Sequence, residues 1–228
     1  DHRDLRRITA RSFTSAYCRT MASNLARLAT DVVEGFECQL ADGASVDLVE
    51  GLAVKLPLAT ICEMMGLAPD DWQDIHRWTD ALVDLDSMRW VHDGETRRDM
   101  RKRLHKEFYD YVDGIIEDRR ASPTDDLSST VVHGRVHGRE LTDQELHGYL
   151  KLLITAGNET TRNAVSRGVL ALLERPDQIA LFESDPDRWC VSLVEEVVRF
   201  TSPVIQFART TSRDAVLAGQ AIEEGQTV

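Results

Sequence analysis

Apolar residues recur at three- and four-residue spacings along most of this chain, so helical periodicity dominates its pattern. Residues 5–13 read as a basic amphipathic helix. A second helix is expected over residues 16–39, with Met21, Leu25, Leu28, Val32, Val33 and Phe36 on one face. After Gly43, residues 46–49 look like a short strand, and a third helix covers about residues 51–65 before Gly66. Pro69, Asp70 and Asp71 suit the first turn of a fourth. A long charged helix is predicted over residues 94–120, and Asp125 or Asp126 is placed to cap a short one ending near His133. Gly134 and Gly138 mark a turn.

Thr142 opens the most informative helix. Glu145, three residues on, completes a capping box, and only glycines interrupt the pattern as far as Leu173, about 31 residues or roughly 46 Å. Helices over 176–183 and 187–200 follow. Beyond Pro203 the pattern turns strand-like at 204–209, 215–217 and 221–222. The expected fold class is mainly α with a minor β part, in one domain over residues 1–228.

The chain has 228 residues, 42% hydrophobic and 29% charged. It is long enough to bury a core without a disulfide or metal staple, which sets aside disordered, collagen-like and disulfide-scaffold classes. Acidic residues outnumber basic ones 39 to 27, a net charge of −12 that argues against nucleic acid or an anionic membrane as partner. The first 30 residues reverse the sign: six Arg face Asp1 and Asp4. No stretch reaches the roughly 18 apolar residues of a membrane span; residues 52–62 come nearest, interrupted by Lys55 and Pro57. Cys18, Cys38, Cys62 and Cys190 are scattered among apolar neighbours and read as buried free thiols of a reducing, cytoplasmic compartment.

Candidate chemistry centres on Ala156, Gly157, Asn158, Glu159, Thr160 and Thr161, a polar run inside a helix that is apolar nearly all round. Buried there, a carboxylate and hydroxyls need partners. Gly157 forgoes about 1 kcal/mol of helix propensity relative to Ala, so its missing side chain reads either as room for a large flat group or as part of a solvated groove. Glu196 and Arg199 stand one turn apart, a spacing typical of solvated ion pairs. His133 and His137 are four apart but flanked by glycines, and a zinc site there lacks further ligands.

The run at 156–161 resembles the central-helix signature of the cytochrome P450 haem-thiolate monooxygenases, Ala/Gly-Gly-x-Asp/Glu-Thr. Glu196-x-x-Arg199 followed by Ser202-Pro203 is similar to that family's Glu-x-x-Arg helix. His2-x-x-x-Arg6 with Arg11-Ser12-Phe13-Thr14 resembles its His-x-x-x-Arg helix, and Arg209 matches the arginine that approaches a haem propionate. Four motifs in family order span essentially the whole chain.

The resemblance implies an α-rich P450 prism truncated at both ends, with the long helix crossing the distal side of a haem b cofactor. It implies a monooxygenase hydroxylating a lipophilic small molecule, such as a steroid or terpenoid, with O2 and electrons from a ferredoxin-type donor. Glu159 and Thr160 would be catalytic, relaying protons and hydrogen-bonding dioxygen. His2, Arg6, Ala156, Gly157, Thr160 and Arg209 would bind the cofactor. Glu196 and Arg199 would be structural, and Ile154, Val204, Ile205 and Phe207 would face the substrate. Arg3, Arg6, Arg7 and Arg11 would form the donor's docking patch. The iron-ligating Cys, in a Phe-Gly-x-Gly-x-x-x-Cys loop, is absent, so the chain reads as the middle of the enzyme with roughly a quarter missing at each end. The rival readings are a non-catalytic helical interaction protein that binds no haem, and a hydrolase using Glu159 as base.

Overall fold

A computed structural model describes residues 2–41, 43, 45–84, 86 and 88–228. The chain divides into two compact units, Asp1–Ser166 and Arg167–Val228.

The first unit opens with α1 (His2–Thr9), a 3-10 turn (Ala10–Phe13) and α2 (Ser15–Ala41). Of the six apolar positions expected to form one face of α2, only Leu28 is buried. The strand expected at 46–49 does not form. Asp47 Oδ1 accepts from the backbone N–H of Val49 and Glu50 at 2.8 and 3.2 Å, a side-chain cap that starts a wide helical turn, Val49–Ala53. Next come α3 (Lys55–Met64), α4 (Trp72–Val83), α5 (Arg97–Ala121) and α6 (Leu127–Val132).

Local capping chemistry sets several of these ends. Thr96 Oγ1 accepts from the Asp99 N–H to start α5, and Asp126 Oδ1 accepts from the Ser129 N–H at 2.7 Å to start α6. Strands β1 (Arg135–Val136) and β2 (Arg139–Glu140) pair antiparallel around His137 and Gly138, both at positive φ, +52° and +81°. That geometry makes the predicted turn a hairpin. The helix α7 (Asp143–Leu173) then begins on a reciprocal cap: the Thr142 N–H donates to Glu145 Oε2 at 2.8 Å, and the Glu145 N–H donates to Thr142 Oγ1 at 3.3 Å.

The core of this unit is one cluster drawn from α3 to α7. Phe108 and Leu104 of α5 meet Trp78 and Ile75 of α4, Leu58 and Ile61 of α3, and Leu146, Leu150 and Ile154 of α7. Trp78 and Phe108 make an edge contact at 6.0 Å, and Trp78 Nε1 donates to Glu107 at 3.0 Å, so the indole is buried with its polar tip satisfied.

The second unit holds the end of α7, α8 (Pro176–Ser184), α9 (Pro186–Thr201) and a hairpin of β3 (Ala215–Leu217) with β4 (Gln220–Ile222). Gly168 lets α7 and α9 meet, since a Cβ there would stand 2.7 Å from Val197 Cγ1. No regular strand forms at 204–209, although Arg209 and Val228 exchange backbone hydrogen bonds at 2.7 and 2.8 Å. Three cysteines expected to be buried, Cys18, Cys38 and Cys190, are exposed; only Cys62 is interior, and burial pushes its thiol up to about 12.

Candidate functional site

The middle of α7 presents two different faces. Leu146, Leu150, Ile154 and Asn158 follow one another at four-residue spacing and are all buried. Roughly opposite, Leu152 and Ala156 are exposed and Thr160 half-buried, an open strip one residue wide per turn. Thr160 Oγ1 donates to Ala156 O at 3.1 Å, a back-bond to the preceding turn that leaves the hydroxyl oxygen free to accept.

Glu159 is held by its own helix and, through that helix, by α4. Its Oε1 accepts from Asn163 Nδ2 at 3.0 Å, and its Oε2 pairs with Arg162. Arg162 Nη1 reaches Asp80 Oδ1 on α4 at 3.3 Å, and Asp80 Oδ2 accepts from Trp90 Nε1 at 2.8 Å. The side chains of Arg162 and Asp80 are only 14% and 9% exposed, so this is a desolvated bridge between two helices. Asn158 Nδ2 donates to Thr79 Oγ1 at 3.4 Å, while its Oδ1 and Thr155 Oγ1 are buried with no partner among the described residues. Sequence reading had not singled out Arg162, Asn163 or Asp80. Arg162 and Asn163 stand three and four residues after Glu159, a spacing that announces helical side-chain pairs. Asp80 gives no comparable signal, because the contact joins positions 82 residues apart.

Nearby, His76 is buried with both ring nitrogens lacking a hydrogen bond, and Glu50 Oε2 stands 3.8 Å from its Nε2. Burial lowers its pKa, against the pull of Asp80 and Glu50. It is a packing residue against the Trp90 edge. No cluster of His, Cys, Asp and Glu able to hold a metal occurs among the described residues.

On α1, His2 and Arg6 lie one turn apart and are exposed, with no protein partner among the described residues. Arg7 pairs with Asp4 at 3.1 Å, while Arg3 and Arg11 are exposed. In the second unit Arg209 is exposed, donating to Ala208 O at 2.9 Å, its guanidinium 5.7 Å from the Phe207 ring centre. Val204, Ile205 and Phe207 are exposed at 42%, 84% and 73%.

Three expectations change. Ile154 does not face a pocket: it is fully buried, because it falls on the same helix face as Leu146 and Leu150. Gly157 does not open the helix towards the exposed strip. A Cβ there would meet Ile61 of α3 at 3.0–3.2 Å, so its bareness serves helix–helix packing. Glu196 and Arg199 form a bidentate pair, both contacts 2.7 Å, but their side chains are 58% and 68% exposed, so in this chain they tie no core.

No family model matches the chain. Solved structures do. Cytochrome P450 CYP268A2 of Mycobacterium marinum, in complex with pseudoionone, superposes with a TM-score of 0.87 at 32% identity over 99% of this chain and 54% of its own. PksS of the Bacillus subtilis bacillaene synthase gives 0.82 at 31% identity, over 100% and 55%. The fold is therefore that of the cytochromes P450. Among curated proteins, the methyl-branched lipid omega-hydroxylase of Mycobacterium tuberculosis is 36% identical over 227 residues, 100% of this chain and 52% of that protein. Linalool 8-monooxygenase of Pseudomonas putida is 36% identical over 186 residues, 82% and 45%. The chain belongs to the cytochrome P450 family. It spans about half the length of the relatives it matches.

Proposed function

We propose that this chain acts within a haem-dependent monooxygenase that hydroxylates a lipophilic small molecule, with O2 and electrons from a redox partner of the ferredoxin type. The observation that carries this reading is the exposed strip of α7, where small Ala156 and the free-accepting hydroxyl of Thr160 stand beside a carboxylate held by Arg162 and Asn163. The chemistry of each unit suits the cofactor's carboxylates taken by itself: in the first, His2 and Arg6 are exposed one turn apart with nothing of the described protein to pair with, and in the second, Arg209 is an exposed cation. Haem b would supply oxygen activation and insertion of one oxygen atom into a C–H bond.

The chain's own residues would hold the group and manage protons. His2, Arg6 and Arg209 would bind its carboxylates, and Ala156, with a single methyl, would let it lie close to α7. Thr160 would accept and pass a proton at its Oγ1. Glu159, on leaving Arg162 or Asn163, would take a proton from solvent and hand it to Thr160, and the Asp80 bridge would keep Arg162 in place when it does. Val204, Ile205 and Phe207 offer an exposed apolar run suited to a lipophilic substrate, in line with the lipid and linalool of the relatives' names. Arg3, Arg6, Arg7 and Arg11 would receive an acidic electron donor by electrostatic steering.

The test is the yield of hydroxylated product per reductant consumed in the complete enzyme. Thr160→Ala should keep reductant consumption and lose product to hydrogen peroxide. Thr161→Ala, about 100° round the helix, should be milder. Unchanged coupling in Thr160→Ala would remove Thr160 from the mechanism. Separately, haem content should fall when His2 and Arg6 are both replaced by Ala.

A further inference from the structure

The first three turns of α5 lie beside α4 along a groove of about 520 Å³. Its rim carries Arg97, Arg98, Arg101, Lys102 and Lys106, all exposed, and no carboxylate among the described residues lines it. Its floor is apolar, made by Trp78, Ala81 and Leu82 of α4 and Leu104 of α5. In a chain of net charge −12 this is a concentrated patch of the opposite sign. Arg97, Lys102 and Lys106 have exposed surface partners, Asp86, Asp99 and Asp110, which hold them weakly. Arg98 and Arg101 have no partner among the described residues.

Their position opposes helix stability. The beginning of an α-helix is the positive end of its dipole, where acids stabilise and bases destabilise. Here Arg97 and Arg98 fill the first turn of α5, with Asp99 the one acid beside them. A local rule broken at Arg98, which has no partner among the described residues, points outward, to something that binds. The cationic field is felt inside the groove too: the His105 imidazole is pushed down by burial, and further by Lys151 and Arg101.

Arg98, Arg101, Lys102 and Lys106 recur at helical spacing over about 12 Å. A lone phosphate or carboxylate would engage one or two of them. A helix bearing Glu or Asp at matching intervals engages the whole stripe, and an apolar residue between those acids can reach Leu82 and Trp78 on the floor. We infer that this groove docks an acidic amphipathic helix of a partner protein, at a surface separate from the α1 patch. The inference stands on this geometry and does not depend on the haem reading.

The experiment uses the complete enzyme and a fluorescent helical peptide of about 15 residues with Glu at i, i+3, i+4 and i+7 and Leu between, followed by anisotropy. The wild type should bind it, and more weakly as salt rises from ~50 to ~200 mM. Arg98→Glu with Arg101→Glu should lower affinity about tenfold or more. The double variant will fold, because both sites are exposed and acids suit that end of the helix. Arg3→Glu with Arg11→Glu on α1 should leave peptide binding unchanged. Equal binding by the α5 double variant, equal binding of a shuffled peptide of the same composition, or capture of phosphatidylglycerol vesicles without capture of the peptide would each overturn the inference.

Discussion

Replacing Gly157 by Ala separates two explanations of the glycine by sign. In a solvated helix Ala outranks Gly by about 1 kcal/mol, so an open site should gain stability. Here the new Cβ would lie 3.0 Å from Ile61 Cγ1, 3.1 Å from Cδ1 and 3.2 Å from Cβ. The first two atoms could rotate away only into a packed core, where Ile61 is 5% exposed; the third is fixed to the α3 backbone. Overpacking of this kind costs about 1–3 kcal/mol, so it outweighs the propensity gain and the net effect is a loss of about 0–2 kcal/mol. Ile61→Val alone should lose about 0.5–1.5 kcal/mol. Together the two changes should cost less than their sum by about 0.5 kcal/mol, because Val lacks Cδ1 and so removes the 3.1 Å contact, one of the three close ones. Urea unfolding of the four proteins, read as midpoint shifts at constant slope, measures this. A gain of about 1 kcal/mol in Gly157→Ala that ignores Ile61 would refute the packing argument and return Gly157 to the cofactor's side of the helix.

Four further outcomes follow from the geometry. Arg162→Leu strands Asp80 in a desolvated site and should destabilise by about 3–5 kcal/mol in thermal or urea unfolding, whereas Asp80→Asn, which leaves Arg162 its Glu159 partner, should cost visibly less. Glu95 is held at about 2 by hydrogen bonds from Arg103 and from the His92 N–H. Its folded pKa is depressed from 4.5, so its contribution is complete above that pH and fades as pH falls towards 2; the stability gap between wild type and Glu95→Gln should close over the same window. Thiol alkylation of the folded protein, mapped by peptide mass, should label Cys18, Cys38 and Cys190 and spare Cys62 until denaturant is added. Glu196→Gln should leave the melting temperature of residues 1–228 unchanged, since the pair it breaks is exposed to water.

What the sequence made legible was local. The Thr142–Glu145 cap, the cap at Asp126 (one of the two candidates, with Asp125) and the turn marked by Gly134 and Gly138 each depend on residues within three or four positions, and each formed in the region expected, the turn as a hairpin bending at His137 and Gly138. The helices followed for the same reason, with α7 running over Asp143–Leu173 as its uninterrupted pattern required. No regular strand forms at 204–209, and the strand missing at 46–49 is an exception of local origin. Its apolar alternation is overridden by Asp47, whose side chain closes a helical turn instead.

What escaped was long-range, and it concerns the candidate site most. The residues at 156–161 mark α7 as special, yet their neighbours decide which side each one serves. Gly157 is spent on Ile61, about a hundred positions earlier, and Ile154 on the core. That leaves Ala156 and Thr160 as the strip available to a ligand. The same logic explains Glu159. A carboxylate in mid-helix needs partners, and two of them were within one turn; the Asp80 contact that steadies the arginine could come only from the fold. Glu196 and Arg199 show the converse. Their spacing made a pair certain, but a motif cannot report its own exposure, and at 58% and 68% exposed the pair gains no stability from desolvation here. A site motif therefore fixes which chemistry is at hand, while the packing of α3 and α4 against α7 determines which of its atoms that chemistry can use.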